Sequence, residues 1–115
     1  MKDSEENSKK IQELQILEGN LQVFLSQKQS FQIELNETNN ALSELEDAKG
    51  EVYKILSGVM IKILKNSAVE DLGGKKRILE MRISSIEKQE RILEEKTLKL
   101  REEIAKQFVR EAGKK

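Results

Sequence analysis

An apolar residue recurs at nearly every seventh position through both halves of this chain, with a second set interleaved three or four residues on. That spacing belongs to α-helices that pack along a partner helix. In the N-terminal half one set is Leu14, Leu21, Lys28, Leu35 and Leu42, and the other is Leu17, Phe24, Phe31, Thr38 and Leu45. In the C-terminal half Leu79, Ile86, Leu93 and Leu100 alternate with Ile83, Glu90, Thr97 and Ile104, while Ile78 and Ile92 flank the stripe. Each stripe needs cover, and the nearest complementary stripe lies in the same chain, so the two helices are expected to fold back into an antiparallel coiled coil. Their far ends, near Ile11 and Phe108, then meet. Lys28 and Glu90 interrupt the ladders at roughly corresponding heights, either as a seam ion pair that fixes register or as side chains that snorkel to water.

Between the ladders the period changes. Residues 52–64 read VYKILSGVMIKIL, β-branched and aliphatic around Ser57-Gly58, which signals a β-hairpin. A two-residue turn there pairs Leu56 with Val59, Ile55 with Met60, Lys54 with Ile61 and Tyr53 with Lys62. The expected layout is one domain over residues 1–115: a helix over about 4–49, a hairpin over about 51–64 and a helix over about 68–112. Asp3 or Ser4 caps the first helix, and Gly50 suits the left-handed position that ends it. Ser67 to Glu70 matches a capping box, which starts the second helix at Ala68, and Gly113 stops it. Gly73 and Gly74 predict a kink, fraying or a late start near the base of that helix. Both faces of the two-stranded ribbon carry apolar side chains, yet an isolated hairpin is marginal in water and its edges are unpaired. The ribbon is therefore expected to join strands from other subunits; the alternative is that it folds over its own helices.

Composition narrows the function. At 115 residues, with 37% charged and 3% aromatic side chains, the chain lacks the bulky apolar material of a compact globular core. The 21 basic residues balance the 21 acidic ones, which disfavours a dedicated nucleic-acid binder. No Cys is present, so there is neither a disulfide framework nor a Cys-based metal site. The N-terminus MKDSEENSKK is polar, and no apolar run approaches the ~18 residues of a membrane span, so a cytoplasmic protein is expected. With no His, no Cys and no glycine-rich phosphate loop, an enzyme is not expected, nor a cofactor or metal. The Lys75-Lys76-Arg77 cluster reads as a solvated face, or less readily as a nucleic-acid contact. Outside the seam, Ile11, Ile16, Val23 and Leu25 crowd the distal half of the first helix, and Phe108 and Val109 the end of the second. They mark either a partner-binding tip or an extension of the helix packing.

With arms, base and tip in view, the chain resembles the β-class subunit of prefoldin, and the archaeal type most. The match runs from about Leu21 to Ile104. It is carried by Gln27-Lys28-Gln29, Glu34-Leu35-Asn36-Glu37, Val52-Tyr53-Lys54 with Gly58 and Ile61-Lys62, and Ala68 to Leu72. A linker with room for one hairpin separates it from the α-class, whose subunits carry two. The resemblance implies a heterohexamer of two α-class and four β-class subunits, whose hairpins assemble into β-barrels and whose coiled-coil arms project from that base. It implies an ATP-independent chaperone that holds non-native polypeptides at the arm tips and passes them to a group II chaperonin. Assembly would rest on Val52, Tyr53, Ile55, Val59, Met60, Ile61 and Ile63. Client contact would rest on Ile11, Leu14, Ile16, Leu17, Ile104, Phe108 and Val109. The rival reading is a structural or adaptor coiled coil that assembles through its hairpin and binds one folded partner.

Overall fold

The computed structural model describes residues 2–113, and in it the chain forms α1 (Lys2–Asp47), β1 (Val52–Leu56), β2 (Val59–Ile63) and α2 (Lys65–Gly113). The strands pair antiparallel in the register read from the sequence, Leu56 opposite Val59, Ile55 opposite Met60, Lys54 opposite Ile61 and Tyr53 opposite Lys62, with Val52 opposite Ile63 closing the root. The turn explains why this register wins. Ser57 and Gly58 both have positive φ, 49° and 80°, the backbone of a two-residue turn whose twist matches that of the flanking strands.

The helix ends differ from expectation in instructive ways. α1 already includes Asp3 and Ser4, and it stops at Asp47, two residues before Lys49. Gly50 has no left-handed conformation; the positive-φ glycine of the chain is Gly58. The end of α1 is closed by two other devices. The Ala48 amide donates to the Leu45 carbonyl at 3.2 Å, and the Lys65 ammonium donates to the carbonyls of Glu46 at 3.4 Å and Ala48 at 3.1 Å. A cation thus sits where the helix leaves its carbonyls and the negative end of its dipole. Lys65 is also the first residue of α2, so the Ser67 capping box lies inside the helix and the expected start at Ala68 is three residues late. The Ala68 amide bonds to the Leu64 carbonyl at 3.1 Å, so the first turn forms directly off β2. α2 then continues as helix through Gly73 and Gly74, where a late start or a fray was expected.

The chain divides into two compact units, residues 28–84 and the remainder, residues up to 27 with those from 85 on. In the 28–84 unit the helices run antiparallel: Arg82 lies over the Phe31 ring at 5.6 Å, and Lys65 meets the end of α1. Its interior is Leu79, 2% exposed, with Ile83 and Ala68, while Phe31, Leu35, Leu42 and Leu45 are half-buried. Thr38 is buried on the same stripe and spends its hydroxyl on the Glu34 carbonyl at 2.8 Å. In the other unit Lys10 pairs with Glu103 at 3.6 Å and Glu18 with Arg101 at 2.7 Å, so the helices are antiparallel there too. Ile86, Leu100 and Ile104 are buried, with Leu14, Leu17, Leu21 and Phe24 half-buried. Every rung of both ladders is buried or half-buried, Lys28 and Glu90 included, whereas Ile78 and Ile92 at the flank are exposed.

Candidate assembly and client-binding surfaces

Alternation along the strands sorts the ribbon into two faces. Val52, Lys54 and Leu56 share one with Ile61, Ile63 and Val59; Tyr53 and Ile55 share the other with Lys62 and Met60. Only the root pair Val52 and Ile63 is half-buried. Tyr53, Ile55, Val59, Met60 and Ile61 are exposed, Ile55 to 71%. All seven residues expected to mediate assembly thus fall on one ribbon, five of them exposed. Leu56 and Leu64, absent from that set, are exposed with them. Leu56 ends β1 beside the turn and Leu64 immediately follows β2, so taking every apolar residue of the 52–64 run would have found both.

A polar cluster lies at the ribbon's root. The Glu51 carboxylate accepts hydrogen bonds from the Tyr53 hydroxyl and from the Lys62 ammonium, the latter at 2.9 Å, and Tyr53 and Lys62 are cross-strand partners. The Tyr53 bond, then the Lys62 bond, hold the Glu51 carboxyl below its usual 4.5, and the same carboxylate raises the Tyr53 hydroxyl above its usual 10.0. Glu51 and Lys62 are eleven residues apart, so the pair exists only because the turn sets the register.

Beside the ribbon, an open groove of about 730 Å³ lies between it and the adjoining helix ends, floored by Leu45, Leu72 and three alanines, Ala41, Ala48 and Ala68. Among the described residues no cluster of side chains suits a metal ion, and no helix is long and apolar enough to cross a membrane.

The seven residues expected to touch clients divide by accessibility. Ile16, Phe108 and Val109 are exposed, Val109 to 72%. Ile11, Leu14 and Leu17 are half-buried on the inner stripe of α1, and Ile104, 8% exposed, is part of the interior. A partner that approaches from solvent therefore meets the first three, and Ile104 acts by packing. Val23 and Leu25 are also exposed in this unit.

Comparison with known proteins agrees with this geometry. A family model described as prefoldin subunit matches residues 8–111. The chain belongs to the prefoldin subunit family. Among its relatives, prefoldin subunit beta of Thermococcus kodakarensis is 36% identical over 94 residues, covering 80% of this chain and 80% of that protein. Prefoldin subunit beta of Pyrobaculum calidifontis is 32% identical over 100 residues, covering 84% and 78%. The crystal structure of the prefoldin beta subunit from Thermococcus strain KS-1 superposes with a TM-score of 0.81 at 34% identity, covering 86% of this chain and 89% of that one. The prefoldin beta2 subunit of the same strain shares the fold, with a TM-score of 0.68 at 20% identity. Two long helices joined by a single antiparallel hairpin are thus the architecture of this chain and of its prefoldin relatives, and the family is one of chaperone subunits.

Proposed function

We propose that this chain is a subunit of an ATP-independent holdase, which captures non-native polypeptides at the distal ends of its coiled coil and delivers them to a group II chaperonin. The observation that carries the reading is the apolar ribbon, exposed in the isolated chain on a member of a chaperone-subunit family. Two strands bury too little to hold such a surface against water, so other subunits must supply its cover. Assembly through Val52, Tyr53, Ile55, Val59, Met60, Ile61 and Ile63 follows, with the hairpins joined into a barrel and the stoichiometry two α-class to four β-class subunits. The whole of residues 1–115 acts as one prefoldin-like domain in the cytosol.

Holding needs no tight site. Several arms that each present a few apolar side chains gain avidity together, and release stays fast because every contact is weak. Ile16, Phe108 and Val109 are the accessible contacts, with Ile11, Leu14 and Leu17 beside them. The test is light scattering from several unrelated denatured proteins diluted into the assembled complex. Suppressed scattering for all of them is expected; assembly without protection would favour the adaptor reading instead.

A further inference from the structure

We infer that the thioether of Met60 is a reversible oxidation site, open to peroxide while the chain is free, and that its sulfoxide weakens entry of the chain into the assembled particle. The inference rests on the assembly reading and adds to it a state of the free chain that assembles poorly. Without Cys, sulfur oxidation falls to methionine, and the described residues hold two, Met60 and Met81. Both are open to solvent, at 64% and 72%, so both thioethers are within reach of a small oxidant. Their surroundings differ. Met81 lies on α2, outside the hairpin, whereas Met60 is on β2, opposite the exposed Ile55 in the apolar ribbon.

The reaction needs a peroxide and, from the protein, the sulfur alone. A lone pair on Sδ of Met60 attacks one peroxide oxygen, the O–O bond breaks and an S–O bond forms, so that sulfur gives up an electron pair and the other peroxide oxygen leaves as water. An apolar group is thereby replaced by a strong acceptor, which needs a hydrogen-bond donor once it is covered. The side-chain donors on that face, the Tyr53 hydroxyl and the Lys62 ammonium, are both engaged with Glu51 at the ribbon's root. Covering the oxidised ribbon therefore leaves the sulfoxide without a donor from this chain or draws Lys62 away from Glu51. A methionine sulfoxide reductase with a dithiol reverses the step: sulfur regains the electron pair, the dithiol closes to a disulfide and the oxygen leaves as water.

Mass mapping after peroxide treatment is the test, because trypsin places Met60 in a peptide of residues 55–62 and Met81 in one of residues 78–82. Hydrogen peroxide is added to the free chain and, separately, to the complex formed with an α-class prefoldin subunit. Both peptides should gain an oxygen in the free chain; in the complex Met81 should react as before and Met60 far more slowly. Equal reaction of Met60 in chain and complex overturns the assembly reading at this face, and the inference with it. A Met60 that resists peroxide in the free chain overturns the inference alone. The oxidised chain should then reach half-assembly at about tenfold higher concentration, a shift that the reductase reverses and that Met81→Leu retains. Met60→Leu, whatever its own midpoint, should have the same midpoint before and after peroxide. An oxidised chain that assembles at the unoxidised midpoint, or a shift that persists in Met60→Leu, overturns the inference and leaves hairpin assembly standing.

Discussion

Thr97 sits on the apolar ladder of α2, 4% exposed, and its hydroxyl has no hydrogen-bond partner. Thr38 occupies a comparable rung of α1 but donates to the Glu34 carbonyl, so two residues of one type differ in what burial costs them. An unpaired buried hydroxyl costs on the order of 1–3 kcal/mol, and valine has nearly the same shape without it. Thr97→Val should therefore raise stability by about 1 kcal/mol in thermal or denaturant unfolding, while Thr38→Val should give less. Glu51 leads to a different measurement, because Tyr53 is the one tyrosine and the chain has no tryptophan. Tyr53 emission thus reports this cluster alone. Glu51 has a folded pKa below its unfolded value, so its contribution is present above that unfolded value and is lost as pH falls through the folded one. Tyr53 has the opposite sign: its contribution is full below about 10.0 and is lost as pH rises through its raised folded value. The acid change in tyrosine emission should have its midpoint below 4.5, and phenolate absorbance should titrate above 10.0. Glu51→Gln should abolish the first and lower the second toward the ordinary value, because the Glu51 bond is the larger of its two causes.

Among the elements, α2 illustrates tertiary context prevailing over propensity. Two adjacent glycines weaken a helix by roughly 1 kcal/mol each, yet α2 is continuous through them. A Cβ on Gly73 or on Gly74 would meet only an Arg77 guanidinium nitrogen at 3.8 Å, an ordinary contact, and neither glycine has positive φ. The pair Gly73→Ala and Gly74→Ala should accordingly add about 1–2 kcal/mol to unfolding stability; a loss would mean that the glycines serve a contact made only in the assembly. At the other end of the hairpin, α1 has no basic residue in its last turn and borrows Lys65 from α2. Lys65→Met should cost about 0.3–1 kcal/mol, and Lys65→Arg should recover most of it, because a donor and a positive charge at the helix C-terminus are what the site requires.

For the molecule as a whole, accessibility separates the proposed client contacts from the residues that hold the fold. Phe108→Ser with Val109→Ser removes side chains that touch solvent, so stability should shift by no more than about 0.5 kcal/mol each while protection of denatured clients falls several-fold. Ile104→Ala, in contrast, should cost about 2–4 kcal/mol and lower the unfolding temperature, because Ile104 is interior. Equal loss of protection in both variants at matched stability would show that client binding reaches under the seam.

The heptad rungs and the two-residue turn were legible in the sequence because both are local: a repeat near 3.5 selects one helical stripe, and Ser57-Gly58 with alternating flanks selects one register. The single hairpin, the antiparallel arms and the buried or half-buried state of every rung followed from those two facts. The helix ends were not legible. Gly50 and Ser67 carry valid local signals, but Lys65 lies seventeen residues from the Ala48 carbonyl that it caps, and only the returning chain brings them together. Accessibility was decided the same way. Ile104 and Val109 are both β-branched and near the end of α2, and only the helix packed opposite leaves one buried and the other in water.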